Sequence, residues 1–548
     1  MRLSGNLLPL LVLVAVPVAT AIAGRSTLQP DRSTEPPPFV RGVSEAAAQI
    51  DAVLSQRAAA AGIEPAAEAD ELTILRRSWL AIAGTIPSLE EVRGFEADTA
   101  PDRLDRWLAR MLADRRAAEH LAGLLVEALA GTDGGPPFVF RRDRFTAWLA
   151  DAIHAGRPFD AVVREMVAGE GMWTGAPAVN FVTQAAKGPR VDENVLAGRV
   201  ARVVLAARLD CAQCHDHPFA SWTQSQFEGL AACFAGVRLS PLGVRDSAAA
   251  ELRIEPEAAA TGMMPAMEDD GGQMTARRVP PQVPFATEAF AGDDLPRRRL
   301  AAWLTHPSNR RFERAVANRC WMIAFGRPWH DPVDDLPAPE TEPQADDPLD
   351  LLGREFRESG CDLRHTLAVL CRTAAFRRRS THPDLDDPSR AAALADAWAV
   401  FPLSQLPPAS MISAMVQAGS VRTIDPESHL LVRTTRFLRT IDFTREYGGA
   451  GRDSSEPATI PQALVRMNGR LARELTTAKA FTGPGRIASI AADDDARLTA
   501  VFLACLTRRP TAAERELLQP VLRAASGSEG VEDLYWSLFN TAEFCWNH

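Results

Sequence analysis

Two thiols three residues apart, followed directly by an imidazole, have a specific chemistry. In Cys211-Ala-Gln-Cys214-His215 the cysteines are spaced to add to the two vinyl groups of a haem, and the next residue falls under the iron as a nitrogen ligand. Haem c is therefore the leading cofactor, held by Cys211 and Cys214 with His215 on the iron. The same residue types serve other chemistries. Cys and His at short spacing suit a tetrahedral zinc or other transition-metal site, with Cys211, Cys214, His215 and His217 as ligands and Cys233 as a further donor. A local disulfide or inert thiols are the bland alternatives. His217 follows too soon after His215 to reach the opposite face of the same haem. A sixth ligand would come from Met263, Met264, Met267, Met274, His306 or His330, or the iron would stay five-coordinate. Asp216 is expected to close a turn before Pro218 rather than to orient an imidazole through its carboxylate.

A second constellation is Trp329-His330-Asp331-Pro332-Val333-Asp334-Asp335. Its adjacent carboxylates could bind a hard cation or do acid–base work, but a solvated turn with Asp334 or Asp335 capping a helix or pairing with Arg is the expectation. The chain contains no Walker loop, no Gly-x-Ser-x-Gly elbow and no His-Glu-x-x-His, and no catalytic residue is assigned.

These sites need elements to hold them, and the patterning is helical. Leu196, Val200, Val203 and Ala207 share one face, which predicts a helix over 195–209 running straight into Cys211. Thr223-Gln-Ser-Gln226 is a capping box that opens a helix through Phe227, Leu230 and Phe234, so the motif lies between two helices. Ser88-Leu-Glu-Glu91 is another capping box, and Thr511 opens a late helix. The stretch 238–296 breaks the pattern with Pro241, Pro256, Gly271-Gly272, Pro280-Pro281 and Pro284, and reads as a connection with a few short strands. The expected fold is mainly α: a helical domain over 43–237, the 238–296 connection, and a second helical domain over 297–548.

Composition bounds the function. The chain has 548 residues, 46% hydrophobic and 24% charged, with a net charge of −10. It has no basic tract, which speaks against nucleic acid. Of its 60 basic residues only Lys187 and Lys479 are lysine, which reads as genome composition. Arg2, the apolar Leu7–Val18 and the small-x-small Ala21-Ile22-Ala23 form a secretory signal, with cleavage expected after Ala23 and a polar linker over 24–42. The h-region is too short to span a bilayer, no Cys follows it for lipid attachment, and no later segment is apolar enough to span. The expected location is the periplasm or the cell surface.

At Cys211-Ala-Gln-Cys-His-Asp-His-Pro-Phe219 with Trp222, Arg77-Ser-Trp-Leu-Ala-Ile-Ala-Gly84, Ile86-Pro-Ser-Leu-Glu-Glu-Val-Arg-Gly-Phe95 and Arg157-Pro-Phe-Asp160, the first block resembles domain-of-unknown-function family 1549, also described as a planctomycete-type cytochrome-like domain. The second block is similar to family 1553 through Val316-Ala-Asn-Arg-Cys-Trp321, Phe325-Gly-Arg-Pro328, Pro332-Val-Asp-Asp335, Thr459-Ile-Pro-Gln-Ala-Leu464, Met467-Asn-Gly469 and Asn540-Thr-Ala-Glu-Phe544. It departs from the family's Tyr-Ser step after Phe376, reading Phe-Arg-Arg-Arg379. The resemblance implies an exported, mostly helical two-domain protein with a haem site at Cys211, Cys214 and His215. Relatives often carry a cytochrome c or carbohydrate-binding module, and no segment here reads as one. The leading expectation is an exported haem protein that transfers electrons or supports oxidative breakdown of a polymer, with an exported redox partner. The alternatives are a zinc-type structural or hydrolytic protein and a surface interaction module without cofactor.

Overall fold

Helix-spaced apolar residues punctuated by side-chain caps give a succession of short helices. The computed structural model describes residues 42–132, 134–248, 251–254, 267–268, 274–275, 277–337, 343–424, 460–525 and 528–548. The signal segment, the linker up to residue 41, Met263 and Met264 lie outside the described residues. Helices that bear on the site are Glu71–Ala83, Arg115–Ala130, Phe159–Ala168, Glu193–Val204, Gln224–Ala232, Pro296–Leu304, Arg310–Phe325 and Leu363–Arg372. The chain is mainly α, and every sheet among the described residues has two strands. Ser88, Thr223 and Thr511 each cap a helix in a full capping box, as their spacing predicts. The connection holds antiparallel pairs Val237–Ser240 with Gly243–Asp246 and Leu252–Ile254 with Arg277–Val279. Among the described residues no helix is long and apolar enough to cross a membrane.

The helix before the motif stops earlier than its apolar pattern suggests. It ends at Val204, and Ala206 takes a left-handed backbone at φ 45°. The Ala207 N–H turns back to the Ala201 carbonyl at 3.0 Å, and a 3₁₀ turn, Leu209–Gln213, then carries Cys211.

One apolar core takes side chains from both sequence blocks. It contains Leu75, Phe145, Leu196, Val200, Phe227 and Phe234 together with Trp303, Phe312, Trp321, Phe325 and Phe376. Trp321 packs within 5.0 Å of Trp329 and 5.2 Å of Trp398, ring to ring, and such pairs add about 0.5–1.5 kcal/mol each beyond burial. A second cluster, around Met411, Met415, Phe502, Tyr535 and Phe539, also takes Leu80, Ile86, Leu89 and Val92.

Buried charge pins the connection to the core. Arg297, 1% exposed, bridges both carboxylate oxygens of Asp246 at 3.0 Å and donates to the Val167 and Gly169 carbonyls at 3.1 and 2.9 Å. Removing one partner of such a pair strands the other charge. Arg297→Met should therefore lose about 3–5 kcal/mol in urea unfolding. Lys187→Ala, which removes only an exposed pair with Asp192, should change stability by less than ~0.5 kcal/mol.

His120 sits against Gly84, where a Cβ would collide with its ring. Burial pushes its imidazole down to about 4. Below its ordinary value near 6.5 the unfolded chain takes up a proton that the folded chain refuses. The His120 contribution to stability should thus be lost as pH drops through that window and change no further below about 4. Urea unfolding at several pH values should show a smaller loss in His120→Gln than in the wild type, and equal losses would contradict the assignment.

Candidate functional site

Thiol chemistry needs access, and the fold sorts the eight cysteines sharply. Cys211 and Cys214 are exposed and free, while Cys233, Cys320, Cys361, Cys371, Cys505 and Cys545 are buried. Burial pushes the Cys233, Cys320 and Cys371 thiols up to about 12, which keeps them protonated and unreactive. Cys233 points its thiol at the Gly229 carbonyl, 3.6 Å away inside the core, and does not join the motif. A 3₁₀ turn, Leu209–Gln213, carries Cys211 and ends at Cys214, its C-terminal cap.

The two histidines of the loop are held in opposite senses. His215 Nδ1 lies 2.7 Å from the Asp216 carbonyl oxygen. A carbonyl only accepts, so Nδ1 carries the hydrogen and Nε2 keeps its lone pair. His217 Nδ1 instead accepts from the Phe219 N–H at 3.1 Å, so in the neutral ring the hydrogen sits on Nε2. His215 is thus prepared to ligate through Nε2, and His217 is prepared to donate. Asp216 contributes its backbone to His215 while its carboxylate accepts the Gln224 N–H at 2.8 Å, at the start of the following helix. The Asp216 side chain thus reaches the first turn of the next helix instead of closing a turn before Pro218.

The rest of the loop closes on itself. The His217 N–H donates to the Trp222 carbonyl at 2.8 Å, and Phe219 at the tip is 94% exposed. The Gln224 side chain reaches the Gln213 carbonyl at 3.4 Å. Among the described residues no three His, Cys, Asp or Glu side chains are arranged to hold a metal ion. Cys211, Cys214, His215 and His217 therefore neighbour one another in the loop without converging on a common point.

The remaining candidates lie as follows. Met267 and Met274 fall on a two-stranded ladder, Met267–Glu268 with Met274–Thr275. His306 Nδ1 accepts from the Ser308 N–H at 3.2 Å, which leaves its lone pair engaged as in His217. The His330 backbone is held on both sides by the Asn318 amide, at 2.8 and 2.9 Å. Among the described residues no hydrogen bond or ion pair joins any of these to the motif.

The Asp334-Asp335 pair, by contrast, comes to the motif. Asp334 accepts from Arg202 at 3.2 Å and from Arg208 at 2.8 Å, and Asp335 accepts from the Arg208 N–H at 3.5 Å. Arg202 also grips Asp210, one residue before Cys211. Burial alone would raise the Asp210 carboxyl, but the Arg202 guanidinium holds it below the usual range. These carboxylates are anchors for arginine, as expected of the turn, and sequence reasoning could not tell which arginines they would meet.

A mainly helical chain thus presents one exposed Cys-x-x-Cys-His loop with its histidine ligand-ready. Comparison with known families matches residues 49–239 to a protein of unknown function, DUF1549, and residues 296–427 to another protein of unknown function, DUF1553. The chain belongs to the proteins that pair these two families. Nothing among curated proteins or solved structures matches it.

Nitrogen-15 NMR of the haem-free chain tests the two tautomers directly. His215 should show Nδ1 protonated and His217 Nε2 protonated at neutral pH; the same tautomer on both rings would refute the arrangement.

Proposed function

We propose that the Cys211–His215 loop carries a covalently attached c-type haem, with Cys211 and Cys214 as the thioether residues and His215 as the iron ligand through Nε2. The observation that carries this reading is the hydrogen bond from His215 Nδ1 to the Asp216 carbonyl, 2.7 Å long, on a loop bearing the only two exposed thiols of the chain. Attachment requires reduced, accessible thiols, and a metal-bound imidazole usually donates its other N–H to a carbonyl or carboxylate. Both conditions fit the residues present. When bound, the group would supply one-electron transfer. The protein's own part is to present two exposed thiols on and at the end of a 3₁₀ turn and to fix the His215 ring. His217, its lone pair engaged, is a hydrogen-bond donor beside the site rather than a second ligand.

With the secretory signal read in the first 23 residues, the activity belongs outside the cytoplasm: electron transfer to an exported redox partner, or redox support of polymer breakdown. The test is production in a host with working c-type maturation, followed by denaturation and a pyridine haemochrome spectrum. Haem should stay with the polypeptide and be lost from Cys211→Ser and Cys214→Ser. A colourless wild-type chain, or stoichiometric zinc without iron, would overturn the proposal.

A further inference from the structure

The loop that carries the motif enters at Leu205 and leaves at Trp222, and one side chain from the other sequence block holds both ends. Arg311, on Arg310–Phe325 and 3% exposed, donates from Nε to the Leu205 carbonyl at 3.1 Å and from Nη2 to the Ala206 carbonyl at 3.1 Å. The same guanidinium donates to the Leu336 and Pro337 carbonyls at 2.6 and 3.1 Å, just after the Asp334-Asp335 pair. Its Cζ lies 5.3 Å from the centroid of the Trp222 ring, and the Trp222 carbonyl accepts the His217 N–H. Burial pulls Arg311 down to about 10, still far above neutral pH, so it remains charged and its donors are strong.

We propose that Arg311 is a positioning residue for the Cys211–His215 site. Its fork stabilises the left-handed Ala206, which turns the chain out of the preceding helix and into the 3₁₀ turn that bears the cysteines. Its cation–π contact with Trp222 holds the end of the loop that His217 leans on. The Leu336 N–H donates to the Ala206 carbonyl at 2.8 Å, so the second block grips this turn from two directions. Lysine keeps the charge but cannot fork four carbonyls, so Arg311→Lys isolates the geometry from the charge.

The part of this inference that concerns electron transfer rests on the haem reading, so the experiment has one arm that does not. Arg77→Lys is the matched control: Arg77 is also buried and grips the carbonyls of Phe376, Arg378 and His548, away from the loop. In the haem-free full chain, backbone hydrogen exchange over residues 205–222 should speed up by about tenfold or more in Arg311→Lys, as expected for lost charge-assisted hydrogen bonds, and stay at the wild-type rate in Arg77→Lys. In the haem-loaded chain, Arg311→Lys should shift the midpoint potential and the Soret band, while Arg77→Lys lowers only the melting temperature. Arg311→Lys behaving like the control in the exchange arm would overturn the inference. A wild-type chain without haem would sink the haem reading alone, because the exchange arm still decides the role of Arg311.

Discussion

A helix that ends inside a packed protein leaves its last carbonyls without partners, and water is not there to supply them. A chain built from many short helices meets this constraint repeatedly. Here buried arginines meet it. Arg76 donates to the Cys505 and Phe544 carbonyls, Arg77 to Phe376, Arg378 and His548, Arg297 to Val167 and Gly169, Arg311 to Leu205, Ala206, Leu336 and Pro337, and Arg378 to Trp398. One guanidinium offers five donors in a fixed plane, so it can close two or three chain ends at once. Desolvating the cation is unfavourable, which is why Arg76 is pulled down to about 10 and Arg77 to about 9. Unlike lysine, arginine remains charged after shifts of that size. Arg77 further lies 3.5 Å over the Phe401 ring, where the aromatic face compensates part of the lost hydration.

The site depends on this arrangement. An exposed loop holding reactive thiols tends to wander, because exposed backbone has little to order it. Here its two ends are tied to the interior while its middle stays in solvent. Access and order usually oppose each other in a loop, and internal tethers at Ala206 and Trp222 reconcile them. The Arg202, Arg208, Asp210 and Asp334 network adds a lateral tether directly before Cys211.

Much of this was legible in the sequence, and the part that was not has one physical cause. Caps and periodicity are local, so the helices at Ser88, Thr223 and Thr511 begin where their side chains say. The Cys211–His215 spacing is local too. The end of the preceding helix is not. Val203, Val204 and Leu205 continue its apolar pattern, and Ala206 carries no signal for a left-handed backbone, which glycine usually takes. The turn is set by Arg311 and Leu336, more than a hundred residues further on. The excess of arginine over lysine likewise reads as genome composition until the carbonyls that several arginines serve are seen. The senses of His215 and His217 depend on which backbone groups the loop brings near, and residue type alone does not fix that.

The division of labour bears on why two families share one chain. The residues of the proposed haem site, Cys211, Cys214 and His215, fall within the DUF1549 match, 49–239. The residues that hold their loop from outside, Arg311 and Asp334, fall within the DUF1553 match, 296–427. Without Arg311 the Leu205 carbonyl would be buried and short of a partner, at a cost of about 1–3 kcal/mol, and the Ala206 carbonyl would keep only the Leu336 N–H. Local rearrangement to rehydrate them would move the turn that carries the cysteines. The second block is therefore a structural component of the site and not merely a neighbour in the sequence. Its contribution is made by Arg311 on backbone carbonyls and the Trp222 ring, and by Asp334 on Arg202 and Arg208.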